Sequence, residues 1–269
     1  MIRFAWTTAG ATRRAAPWAW SACLGFALAI AGAAAAQVAE PAAEDAKARE
    51  ILARADRIRF PQEGFQVDVT ITTTAPDIDP EVRAYRILSK GNSQTLVQTT
   101  EPAIDRDQIL LMRDRDLWAF LPNLTQPVRL PLSQRLTGQV ANGDLARANF
   151  VGDYHPRILR QDKVEAETYH VLELEAIDQW VTYRRVLLWV NAKTDRPLKA
   201  EFYAVSGRLV KTCQYVDFQS MGGATRPTRL VIDDALRSGN RSVLEYRAMK
   251  LRDLPDKIFT KDYLKRVGG

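Results

Sequence analysis

The chain of 269 residues has two cysteines, two histidines and a formal charge of +6. Two scattered histidines and so few thiols exclude a structural zinc centre, which needs four converging ligands. Both signs of charge alternate, as in Arg113-Asp114-Arg115-Asp116, so the basic face of a nucleic-acid binder is missing and no nucleic-acid partner is expected.

Residues 1–20 carry Arg3, Arg13 and Arg14 with no acid, and residues 19–36 are small and apolar, ending Ala34-Ala35-Ala36. This is the order of a secretory signal peptide over 1–36, with cleavage between Ala36 and Gln37, and implies an exported chain. A retained anchor is the alternative, since about 18 apolar residues approach the ~20 that cross a bilayer, but the run is mostly weakly apolar alanine. Arg13-Arg14 lacks the apolar pair that should follow it in a twin-arginine signal. A lipid anchor at Cys23 would need an aliphatic residue where Trp20 stands. Without residues 1–36 the charge falls to +3, because three arginines and no acid leave with them. Residues 37–269 then hold Cys213 alone, so no internal disulfide forms and one domain must rely on its core.

Residues 44–60 read as an amphipathic helix, with Ala48, Ile51, Leu52, Ala55 and Ile58 at three-and-four spacing and Pro61 and Gly64 ending it. The period then switches to two. Phe65, Val67, Val69 and Ile71 alternate with Gln66, Asp68, Thr70 and Thr72, the pattern of a half-buried strand. Similar strands are expected at 82–89, 94–100, 109–112, 117–121, 168–176, 183–190, 198–205, 208–218, 228–232 and 242–248, with a hairpin at Val205-Ser206-Gly207-Arg208. Sequential short strands imply antiparallel meanders, whose apolar face needs a cover. Between residues 110 and 132, Leu117, Ala119 and Leu121 lie on one side of a strand and Trp118 and Phe120 on the other. That is either a central strand covered twice or a sheet whose concave side lines an apolar pocket.

Residues 133–154 interrupt the strands. Gly138 and Gly143 have the spacing of a phosphate loop, but Asp144 stands where that loop needs lysine, and a carboxylate there repels phosphate. Asn142 or Asp144 can cap a short helix carrying Leu145, Ala148 and Asn149. No Gly-x-Ser-x-Gly elbow is present, and His155 and His170 read as turn and strand residues rather than bases, so an exported hydrolase is only a remote alternative. Asp77-Ile78-Asp79 and Asp105-Arg106-Asp107 lack the remainder of a calcium loop. No metal or other cofactor is expected.

With an initial helix, then GFQVDVTI, RDRDLWAFLPNLTQPVRL, the glycine-bearing segment and finally DKIFTKDYL, the chain resembles the LolA-like outer-membrane lipoprotein-sorting proteins, in particular their longer branch. The similarity spans residues 44–266 and is most specific over 109–154. It implies a mainly β (α+β) fold, a strongly curved antiparallel sheet forming an unclosed β-barrel with helices covering its concave face. It implies no enzymatic activity, and a monomeric carrier or chaperone of lipidated proteins or lipids, loaded by an inner-membrane transporter. A sensor or adaptor on the same half-barrel is the alternative. Taken with the alternation, the resemblance makes Phe65, Val67, Val69, Ile71, Trp118 and Phe120 the candidate ligand-binding groups. The lid implied over 136–150 would turn Leu136, Val140, Leu145 and Phe150 inward and hinge at Gly138 and Gly143. One family feature is missing: where the classical carrier has a latching Arg-Pro, this chain has Lys90-Gly91.

Overall fold

The computed structural model describes residues 46–91 and 93–267, so the signal-peptide reading, the Ala36–Gln37 cleavage site and Cys23 lie outside the described residues. Helix α1 (Ala46–Arg59) buries Ala48, Ile51, Leu52 and Ala55 as one stripe, and Arg57 and Arg59 in its last turn suit the negative end of the helix dipole. Six strands follow, β1 (Phe65–Ala75), β2 (Ile78–Lys90), β3 (Gln94–Glu101), β4 (Ile109–Arg113), β5 (Asp116–Phe120) and β6 (Val128–Leu130). A crossing segment then holds a small hairpin, β7 (Arg135–Thr137) and β8 (Val140–Ala141), and the short helix α2 (Asn142–Ala146). Seven strands complete the sheet: β9 (Tyr154–Val164), β10 (Glu167–Ala176), β11 (Arg185–Asn191), β12 (Pro197–Tyr203), β13 (Leu209–Met221), β14 (Ala224–Asp234) and β15 (Arg241–Leu251). A 3-10 turn (Asp256–Phe259) and helix α3 (Lys261–Val267) end the described chain.

Thirteen strands form one sheet in the order β6-β5-β4-β3-β2-β1-β15-β14-β13-β12-β11-β10-β9. Two meanders are joined where β1 pairs antiparallel with β15, Val69 opposite Tyr246 and Ile71 opposite Leu244. The edges β6 and β9 do not pair, so the barrel is unclosed. The sheet nevertheless curls around a single core. Met112 and Leu117 from one side of the order and Tyr154, Leu172 and Leu174 from the other share a buried cluster with Val67, Val69, Ile71 and the stripe of α1. The expected hairpin at 205–208 is present, closed by Ala204 N–H to the Arg208 carbonyl at 3.0 Å and Gly207 N–H to the Ala204 carbonyl at 2.9 Å.

Edge strand β9 escapes the alternation rule, for a physical reason. Only one side of an edge strand is paired, so it tolerates Pro156, which has no N–H, and residues 159–161 are exposed in succession, which breaks the alternation after Tyr154 and Pro156.

The outer face of β2 to β5 carries a second cluster, Leu96 and Leu111 packed with Leu254, Phe259 and Leu264 from the C-terminal turn and α3. Trp118 and Phe120 belong to this cluster, which corrects their assignment to the pocket. Side chains alternate along a strand, so when Leu117 faces the main core its neighbour Trp118 must face away. Lys261 Nζ lies 3.7 Å from the centre of the Trp118 ring on that outer face. Of the two readings of this strand, double coverage is the one realised.

Candidate functional site

The site is built where residues 131–153 cross from β6 to β9, strapping the two unpaired edges of the sheet together over its inner face. Val140, Leu145 and Phe150 are buried in the main core and Leu136 packs against it half-buried. Phe65, Val67, Val69 and Ile71 lie in the same core, below α1 and the strap. The crossing segment is smaller than the helices implied by the resemblance, holding a two-strand hairpin and one five-residue helix.

Both glycines mark close approach. At Gly138 the backbone is left-handed (φ +48°) and an added Cβ would sit 2.2 Å from Thr73 Oγ1 and 2.4 Å from Ser242 Oγ. Ser242 Oγ also accepts the Gln139 N–H at 2.9 Å, so the hairpin turn rests directly on β1 and β15. At Gly143 an added Cβ would meet Thr182 Oγ1 at 2.0 Å. Of the two expected caps, Asp144 accepts the Ala141 N–H at 2.8 Å, whereas Asn142 is a buried helix residue whose amide donates to the Pro131 carbonyl at 3.1 Å.

Buried polar contacts fasten the strap. On α1, Asp56 accepts Phe150 N–H and Val151 N–H, each at 2.8 Å, and Arg59 at 2.8 Å. Arg59 donates to the Ala148 carbonyl at 2.7 Å and stacks 4.2 Å from the centre of the Phe150 ring. Burial pushes the Asp56 carboxyl above its usual range, against the pull of Arg59 and the two backbone N–H groups. A second clasp reaches the sheet: Lys211 Nζ donates to Asp144 at 2.6 Å and to the Gln139 carbonyl at 3.1 Å, and Tyr183 OH donates to Asp144 at 2.9 Å. Burial, together with the Asp144 carboxylate, raises the Tyr183 phenol well above its ordinary value. At the outer margin Arg147 pairs with Asp153 and donates to the Asp114 carbonyl at 2.7 Å, while Arg115 pairs with Asp178 and donates to the Gly152 carbonyl at 3.1 Å.

Periodicity alone does not announce these groups, although a signal exists. Asp56 and Arg59 extend the apolar stripe of α1 from Leu52 at helical spacing, and Lys211 shares the inward face of β13 with Cys213 and Tyr215. A charge on a buried face is costly unless paired, so its presence in such a pattern marks a partner elsewhere in the chain.

Two small hollows remain beneath the strap. One of about 40 Å³ is lined by Arg59, Asn149, Tyr183, Phe202, Lys211 and Cys213 among others. The other, about 20 Å³, is lined by Phe60, Phe65, Val67, Ile87 and Leu145 among others. Burial pushes the Cys213 thiol up to about 12, despite the opposing pull of Lys211 and Arg59. Arg59 Nε and Asn149 Oδ1 are buried without a partner among the described residues. Outside, at the start of the strap, an open groove of about 450 Å³ is lined by Arg115, Leu130, Leu132 and the exposed Trp180. Among the described residues no three His, Cys, Asp or Glu side chains are grouped to hold a metal.

A family model described as "Uncharacterized protein" matches residues 91–266. No curated protein matches the chain. Among solved structures, a LolA superfamily protein from Nitrosomonas europaea is 61% identical, with 80% of this chain and 98% of that chain covered at a TM-score of 0.78. A putative outer membrane lipoprotein-sorting protein domain from Vibrio parahaemolyticus has the same fold at 20% identity, with 82% of this chain and 99% of that chain covered and a TM-score of 0.71. A DUF1329 family protein from Desulfovibrio piger likewise matches in fold at 18% identity, with 81% and 98% covered and a TM-score of 0.70. A half-barrel strapped across its open seam, together with 61% identity over nearly the whole of the Nitrosomonas protein, places this chain in the LolA superfamily.

Proposed function

We propose that this protein is a periplasmic carrier that holds the acyl chains of a lipidated protein or a lipid against the inner face of the half-barrel. The observation that carries this reading is that the apolar inner face is covered by the connecting segment 131–153 through buried polar clasps as well as packing. Hollows of about 40 and 20 Å³ have room for little more than a water or two. Cargo must therefore displace the strap. Withdrawing Val140, Leu145 and Phe150 forfeits about 1.5–3 kcal/mol per side chain, whereas an acyl chain of roughly a dozen methylenes returns about 10 kcal/mol at ~0.8 per CH₂. Phe65 and Val67, which line the smaller hollow, and Val69 and Ile71 behind them are the strand groups that such a chain would touch. Loading from an inner-membrane transporter and delivery toward the outer membrane extend this reading.

Organic extraction of the purified protein with mass spectrometry, together with uptake of a fluorescent acyl probe, tests it. Bound lipid or saturable probe uptake is the expected result; absence of both would overturn the carrier reading.

A further inference from the structure

The clasps differ in what they leave behind when the strap moves. Arg59 keeps Asp56, because both lie on α1, and Arg147 leaves together with Asp153, because both lie on the strap. Among the described residues Lys211 keeps no carboxylate, only the Tyr183 and Phe202 rings, whose centres lie 4.6 and 5.0 Å from its ammonium. It stands on β13, its ammonium is nearly buried, and its acceptors, Asp144 Oδ2 and the Gln139 carbonyl, both belong to the strap. Asp234, opposite Lys211 on β14, accepts the Leu236 and Arg237 N–H groups instead. Among the described residues Tyr183 also directs its hydroxyl at Asp144 alone. Strap displacement therefore exposes a lysine and a phenol donor, aimed at one point inside the hollow that Arg59, Phe202, Cys213, Leu230 and Ile232 also line. An unpaired buried cation is strongly unfavourable, so whatever replaces the strap must bring an anionic oxygen to that point.

We propose that Asp144 occupies, in the closed state, a subsite for an anionic head group, and that the cargo is an acyl chain ending in a carboxylate or phosphate that takes the place of Asp144 on Lys211 and Tyr183. This rests on the carrier reading and adds the chemical class of the ligand. The same carboxylate that rules out a phosphate loop in the strap thus marks where an acidic group docks on the sheet.

The test compares laurate, dodecyl phosphate, dodecanol and inorganic phosphate as competitors of a fluorescent acyl probe on the full chain at neutral pH. Charge-assisted hydrogen bonds should make either acid bind about tenfold or more tightly than dodecanol. Lys211→Met should erase that preference while dodecanol still competes, and Lys211→Arg should retain it. Asp144→Asn removes the competing carboxylate and should tighten the acids more than the alcohol, which keeps the proposal testable if Lys211→Met fails to fold. Equal competition by acid and alcohol in the wild type overturns the head-group subsite and leaves the carrier reading intact. Failure of every chain to compete overturns the carrier reading itself. Inorganic phosphate competing as well as dodecyl phosphate would assign the site to a free anion and overturn the amphiphile.

Discussion

The sheet has two covers, and they are held in opposite ways. On the outer face the C-terminal turn and α3 are fixed by apolar packing: Phe259 is fully buried, and Leu254 and Leu264 sit against Leu96 and Leu111. Its ion pair to the sheet, Lys90 to Asp256 at 2.6 Å, is exposed. On the inner face the strap also buries apolar groups, but its backbone and charges are tied to Asp56, Arg59, Lys211 and Tyr183 inside the core. Apolar packing can be replaced only by more apolar surface, whereas a polar clasp can be handed to any competitor offering the same donors or acceptors. The first arrangement suits a permanent cover and the second an exchangeable one.

The most disruptive way to break this contrast is Phe259→Ala, which should cost about 3–5 kcal/mol of stability by opening a cavity. The urea midpoint should fall while acyl-probe exchange stays unchanged; faster exchange would mean that the outer cover also gates the site. Next, Asp56→Asn leaves Arg59 buried without its counter-charge, at about 3 kcal/mol, and should also release the strap. Cys213 reports that release, because its thiol, pushed up to about 12 in the closed state, reacts slowly with iodoacetamide at pH 8. Alkylation should accelerate in Asp56→Asn and not in Phe259→Ala. In the wild type the rate should keep climbing with pH past the ordinary thiol range; a plateau near pH 9 would show a strap that stands open. A smaller effect is expected of Tyr183→Phe, about 1 kcal/mol for one hydrogen bond, with a modest gain in alkylation. Lys90→Met, which removes an exposed ion pair, should leave both the melting temperature and exchange indistinguishable from the wild type.

Much of this molecule is legible along the chain. The α1 stripe, the alternation of β1 and the hairpin at 205–208 appear where the sequence places them, because each depends on neighbours within a few residues. Glycines at 138 and 143 are conspicuous in the sequence too, but as spacing they mimic a phosphate loop. Only contact with Thr73, Ser242 and Thr182 shows why a side chain is excluded there. Strand β9 and helix α3 fall below detection, since an edge strand tolerates proline and charge and a seven-residue helix is too short to develop a pattern.

Local periodicity determined the mostly-β class and the inward set Phe65, Val67, Val69 and Ile71, because burial on one face imposes a period that can be measured along the chain, whereas the inward groups of the strap follow no period and came from the family resemblance. Which face of β5 turns inward was decided only in three dimensions, by the curl of the sheet and the docking of Phe259 on its outer side. The same holds for the clasps. Asp56 meets Phe150, and Lys211 meets Asp144, across long stretches of chain, and pairings of that separation leave no period in the sequence that could announce them.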